Sequence, residues 1–160
     1  MNESTKNLFV LKQMIRITQK EATYLVRTAE RIKQQSPDID WVGSLEHSDD
    51  RSEMLDAFVL RYGRLQDTLG DKLLPQLLRA NLEKTGTQLD NLLRAEKLGW
   101  IESAQAWIEL RELRNRLIHE YMESTEDLLE ALIAALQGVQ VLVDVRSRMA
   151  TRVQGLEDAS

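Results

Sequence analysis

The sequence predicts an all-α protein, an up-and-down helical bundle of about five helices. Three observations carry that expectation. Apolar residues recur at spacings of three, four and seven along most of the chain, which is one buried stripe of a helix. Residues that interrupt helices are few, with 7 Gly and 2 Pro among 160. No segment alternates apolar and polar residues as a half-buried strand does, and no internal repeat or low-complexity block stands out.

The first helix is expected from about Ser4 to Gln35, because Leu8, Leu11, Ile15, Ala22, Leu25, Ala29 and Ile32 share one side. Ser4 reads as its N-cap and Ser36-Pro37 as its stop. Ser36 to Asp50, with Pro37, Gly43 and several Asp and Ser residues, reads as a loop. A second helix starts near Asp50 and carries Leu55, Phe58, Val59, Tyr62, Leu65 and Leu69. Gly70-Asp71 is expected to interrupt it, with Asp71 capping a shorter helix to about Lys84 and Pro75 in its first turns, where a missing N–H costs least. Thr85-Gly86-Thr87 reads as a turn before a short helix through Leu89, Leu92 and Leu93, closed by Lys97 and Gly99. Ser103 opens the next helix, whose apolar face is Ala106, Trp107, Leu110, Leu113, Leu117 and Ile118. Ser124 caps the last, with Glu126 and Asp127 in its first turn. Leu128, Leu129, Leu132, Ile133, Leu136, Val139, Leu142 and Val143 are too many for one stripe, so that helix is expected to be buried on several sides, in the bundle or against a second subunit.

The length fits one domain over residues 1–160, with a polar tail expected to be disordered after about residue 153. Such a chain buries roughly 70% of its unfolded surface and needs neither disulfide nor metal to fold. The absence of cysteine excludes thiol nucleophiles, disulfides and Cys-ligated metal sites, and fits a reducing compartment. No signal peptide and no run of 18 uncharged apolar residues is visible, so the cytoplasm is expected and a membrane role is not. The formal net charge of −5 argues against a global nucleic-acid field, so any RNA contact must come from a local site.

No Gly-rich phosphate loop, His-Glu-x-x-His pair, nucleophile elbow or EF-hand loop occurs. The chain has 2 histidines, His47 and His119, and no metal or cofactor is expected. His47 reads as a plain loop residue, and Trp41, Trp100 and Trp107 as packing residues. The segment from Arg111 to Tyr121 differs, gathering Arg111, Arg114, Asn115, Arg116, His119 and Tyr121 in three turns. Asn115 and His119 fall nearly in line, whereas Arg114 and His119 diverge by about 140° on an ideal helix. Both reach one ligand only if Arg114 bends round or the helix frays near His119. The set suits RNA cleavage without a metal. A guanidinium holds phosphate oxygens and stabilises growing charge; an imidazole accepts the 2′-hydroxyl proton or protonates the leaving oxygen. Asn115 would orient a hydroxyl or phosphate, and Tyr121 would stack or donate a hydrogen bond. Acid and base both drawn from histidine would require two copies of His119, hence a symmetric dimer. The plainer reading is a solvated helix face, with Arg116 and Glu120 paired at i, i+4 and His119 favourable to the helix dipole.

The run Arg114-Asn-Arg-Leu-Ile-His-Glu-Tyr121 resembles the Arg-x4-His-x-Tyr motif of the HEPN superfamily, with closest likeness to its HepT-like branch. Asp56 to Asp67 resembles the second-helix stretch of the same proteins, and the likeness spans about Lys6 to Met149. The resemblance implies a HEPN-like bundle and a homodimeric, metal-independent endoribonuclease, the toxin of a toxin–antitoxin pair. By motif position Arg114 and His119 would be catalytic with Asn115 as polar companion, and Arg111 and Arg116 would help hold RNA. A nucleotidyltransferase antitoxin would silence the toxin by attaching AMP to Tyr121, adding negative charge and bulk where RNA phosphate must sit. Some members of the superfamily keep the motif and serve as non-catalytic partners or nucleotide-binding subunits of the transferase, which is the alternative for this chain.

Overall fold

In a computed structural model that describes residues 2–120 and 124–160, every regular element is helical. Helix α1 (Glu3–Gln34) starts one residue before Ser4, because the Asn2 side chain accepts the Thr5 amide at 2.8 Å. It buries Leu11, Ala22, Leu25, Ala29 and Ile32, the stripe expected from the spacing. The segment read as loop holds a short helix, α2 (Ile39–Gly43), capped by Asp38 at 2.8 Å from the Trp41 amide, and a 3-10 turn at Ser44–Glu46. Trp41 and Val42 anchor it in the core, which lets a segment too short for periodicity form a helix.

Helix α3 (Asp49–Asp67) is capped by Ser48 and does not stop at Gly70-Asp71. It passes through a π turn (Thr68–Leu73) into α4 (Leu74–Ala80), so the three form one rod. Counting that rod once, six separate helices occur among the described residues. Gly70 serves close approach rather than a break. A Cβ there would stand 3.2 Å from the Trp107 ring of the helix packed across it. The rod ends at Ala80, short of Lys84. The Asn81 side chain donates to the Leu77 carbonyl at 2.8 Å, and Leu82 adopts φ 59° where glycine is usual. The Glu83 and Leu82 amides then close on the Leu78 and Arg79 carbonyls at 2.9 and 3.0 Å. Helix α5 (Gln88–Lys97) opens on a reciprocal Thr87–Asp90 capping box and is followed by Gly99 at φ 77°. Helix α6 is Ala104–Glu120 and α7 is Thr125–Ala159, capped by Ser124.

Four helices enclose the core: α1 packs on α3 and α7, and α6 packs on α3 and α7. Neighbours run antiparallel. Lys12 meets Glu157 while Thr18 meets Arg146, and Arg61 meets Thr28 while Thr68 meets Glu21. Helix α7 packs on α1, α2 and α6 and is buried along one broad face, from Leu128 through Leu142 to Met149 and Val153, while Ile133, expected among its buried residues, is 41% exposed. It also continues to Ala159, past the point where the polar tail is expected to fray, with Glu157 tied to Lys12 at 2.8 Å. By length and composition α7 contains a window apolar enough to cross a membrane, but half of that window is buried inside the bundle, as in a core helix. Trp41, Trp100 and Trp107 are buried packing residues, as expected.

One part-buried contact carries a pH signature. Glu21 accepts the Thr68 hydroxyl at 3.1 Å, and its partial burial raises its pKa above the ordinary 4.5, against the opposing pull of Thr68, Arg64 and Lys72. A carboxyl raised in the folded state favours folding below its unfolded value and loses that contribution as pH rises through the folded value. Glu21→Gln keeps an acceptor for Thr68 and removes the desolvated charge. It is expected to raise the melting temperature at pH 7 and leave it unchanged at about pH 4, near the intrinsic carboxyl value. A variant less stable at pH 7 would refute this account.

Candidate functional site

Helix α6 positions the motif. Ser103 caps it, its hydroxyl accepting the Ala106 amide at 3.1 Å, and the Glu96 carboxylate accepts the Ala104 amide at 2.9 Å. Ala104, Trp107, Leu110 and Leu117 then face the core, and this fixes the direction of every residue between them. Tyr62 of α3 sets the register, its buried hydroxyl donating to the Leu110 carbonyl at 3.0 Å. Burial pushes the Tyr62 phenol upward, with the Arg114 charge opposing, so it stays a donor at neutral pH.

The three arginines of the Arg111–Tyr121 segment leave α6 in three directions. Arg114 turns to α3, where Nη1 donates to Asp67 Oδ1 at 2.7 Å and to the Gly63 carbonyl at 3.3 Å. Arg111 turns to the π turn and α5, where it donates to Gln88 Oε1 and lies 3.5 Å from Asp71. Arg116 turns to α7, 3.7 Å from the exposed Glu130 carboxylate, a pair of small energetic weight. Asn115 and His119 are exposed. Tyr121 and the side chain of Glu120 lie outside the described residues, so the expected Tyr121 site and the Arg116–Glu120 pair do too. His47 is also exposed, at the end of the 3-10 turn. The structure therefore places Arg114 on one side of α6 with Asn115 and His119 on another. Arg111 and Arg116 are each drawn away to a neighbouring helix.

Beside Arg114 an open groove of about 670 Å³ runs between α3 and α6, lined by Leu60, Leu117 and Ile118 together with Arg64, Asp67 and Arg114. Leu60 and Ile118 are 58% and 56% exposed, so Ile118, expected on the buried face of α6, instead faces the groove. The arrangement offers one guanidinium at the edge of an apolar trough, held there by a carboxylate.

Two residues of the site escaped sequence reasoning. Asp67 carries no local signal, since its role depends on a partner 47 positions away. Gly63 does carry one, because a glycine inside a helix costs about 1 kcal/mol relative to alanine and calls for a reason. That reason is contact: a Cβ at Gly63 would stand 2.8 Å from Arg114 Cδ. Gly63→Ala is expected to push Arg114 off Asp67 while leaving the melting temperature within a few degrees of wild type, helix propensity offsetting the lost contacts. RNA cleavage should fall about tenfold or more, as for a misplaced positioning group. Unaltered cleavage by a folded variant would mean that the Arg114 pose is irrelevant.

No group of three or more His, Asp or Glu placed to share a metal ion occurs among the described residues. No family model matches the chain, and no match is found among curated proteins or solved structures.

Proposed function

We propose that the chain is a metal-independent endoribonuclease of the HEPN type, an up-and-down bundle that acts as a homodimeric toxin in the cytoplasm. A nucleotidyltransferase antitoxin would silence it by attaching AMP to Tyr121. The observation that carries this reading is Arg114 at the edge of the α3–α6 groove, with His119 exposed five residues further along the same helix. A phosphate entering the groove would compete with Asp67 for the guanidinium, the group suited to the charge that grows on a phosphorane. His119, open to solvent, is free to exchange protons with substrate.

Because α6 stays helical through Glu120, Arg114 and His119 of one protomer diverge by about 140°. A two-fold dimer that brings two α6 ends together removes the difficulty, since Arg114 of one copy and His119 of the other can reach one phosphate. In that cleft one imidazole takes the proton from the 2′-hydroxyl as its oxygen attacks phosphorus. The second gives a proton to the departing 5′-oxygen, leaving a 2′,3′-cyclic phosphate and a free 5′-hydroxyl. The antiparallel packing of neighbouring helices supports the up-and-down part of the reading.

A second reading has its own observation. Each arginine from Arg111 to Arg116 already lies within ion-pair distance of a carboxylate: Arg111 of Asp71, Arg114 of Asp67 and Arg116 of Glu130. This suits a non-catalytic helical subunit that binds a transferase or a nucleotide. Inducing wild type, His119→Ala and Arg114→Ala without any partner, and examining RNA from each culture, separates the two. Growth arrest with RNA fragments in wild type alone supports the toxin. Equal growth in all three transfers the conclusion to the binding subunit.

A further inference from the structure

Helix α1 carries charge against the balance of the chain. It holds seven Lys and Arg against three Glu, a net of +4 in a protein whose net charge is −5. On an ideal helix Arg16, Lys20, Tyr24, Arg27 and Arg31 fall within an arc of about 100°. All five are exposed, on the side opposite the buried stripe, and no acidic residue shares the arc. Tyr24, 47% exposed, has two guanidinium groups near its ring: Arg27 at 5.9 Å and Arg61 of α3 at 5.6 Å from the centroid. Arg61 is held there by the Thr28 hydroxyl at 2.5 Å and the Tyr24 carbonyl at 3.3 Å. None of these arginines is within ion-pair distance of a carboxylate among the described residues, unlike Arg111, Arg114 and Arg116.

We infer that this α1–α3 face binds single-stranded nucleic acid, with the Tyr24 ring stacking a base and Arg27, Arg31 and Arg61 meeting the phosphates on either side. An exposed aromatic set among free cations is the combination that single strands use, since every base offers a π-face and every linkage a charge. An anionic membrane surface fits less well. The apolar stripe of α1 is already buried in the core, and the outward Ile17 has Lys20 and Glu21 one turn away rather than further exposed aliphatic residues. A second copy fits less well still, because two α1 faces would bring like charges together. Arg64, three residues beyond Arg61, lines the groove that holds Arg114, so a strand bound on α1 points across α3 toward the motif. That last step rests on the ribonuclease reading; binding on α1 does not.

The test measures fluorescence anisotropy of a labelled 2′-fluoro oligouridylate of about 15 nucleotides, within the site sizes single-strand binders use and lacking the hydroxyl needed for cleavage. Wild type is expected to bind saturably. Tyr24→Ala should weaken binding about tenfold, whereas Tyr24→Phe retains it. Arg27→Ala should lower the slope of log affinity against log salt by about 1. Arg79→Ala, on α4, serves as the control and should match wild type. Absence of saturable binding by wild type overturns the inference, as does wild-type affinity in both Tyr24→Ala and Arg27→Ala. Equally tight binding to phosphatidylserine vesicles or polyglutamate, with the same residue dependence, also overturns it, as does a change of oligomeric state in the variants. Tyr24-dependent binding by a protein that never cleaves natural RNA would leave this face standing and remove the ribonuclease reading.

Discussion

Purified His119→Ala protein is expected to cleave single-stranded RNA about 10²–10⁴-fold more slowly than wild type, the loss that accompanies removal of a general acid or base. His119 is exposed on the last turns of α6 and is not among the core residues, so circular dichroism and the melting temperature should be unchanged. Arg114→Ala should slow cleavage by about 10²–10³-fold, as expected for one donor that stabilises transition-state charge. It also breaks an ion pair in which the Arg114 side chain is 19% and the Asp67 side chain 49% exposed, which should cost about 1–2 kcal/mol of stability. Arg114→Lys should stay close to Arg114→Ala, because an ammonium cannot present the paired donors of a guanidinium. The three variants together distinguish chemistry from charge. If Arg114→Lys restored most of the rate, Arg114 would be holding phosphate as a point charge. If His119→Ala cleaved like wild type, the motif histidine would have no part in proton transfer and the ribonuclease assignment would fall.

What the sequence made legible was set by range. Helices α1, α3, α6 and α7 follow from periodicity, because each must bury one stripe and the stripe is written locally. Ser103, Ser124 and Gly99 mark boundaries by groups within a few residues of the ends they serve. Gly70 misled because its purpose lies across the bundle: Trp107 needs the space, and the chain answers with a π turn rather than a break. The segment after Pro37 misled in the opposite sense, since five residues cannot display a period and Trp41 holds them by burial. In the site, the identities of the motif residues were legible and so was the divergence of Arg114 from His119, which helical geometry alone dictates. Their partners were not. Asp67 for Arg114, Glu130 for Arg116 and Gln88 for Arg111 all come from other helices, and no spacing along the chain records them.

The groove makes a separate prediction about stability, because two residues of one helix turn face opposite conditions. Phe58 is fully buried and stands 5.9 Å from Tyr62, ring to ring at 57°, and Tyr62 in turn fixes α6 through Leu110. Phe58→Ala is expected to cost about 3–5 kcal/mol, from lost transfer energy and the cavity left beneath Tyr62. That corresponds to a fall in melting temperature of roughly 6–20 °C for a chain of this size. Leu60, two residues on and 58% exposed, should change stability by no more than about 0.5 kcal/mol when truncated. Denaturant titrations at two protein concentrations about a hundredfold apart read both variants. If Leu60→Ala proves costly, and more so at the higher concentration, the α3 side of the groove is covered by a second copy in solution, since only association makes apparent stability depend on protomer concentration. A cost that is large at both concentrations alike would instead mean that Leu60 is packed within its own protomer, and the trough beside Arg114 would not be open to a substrate.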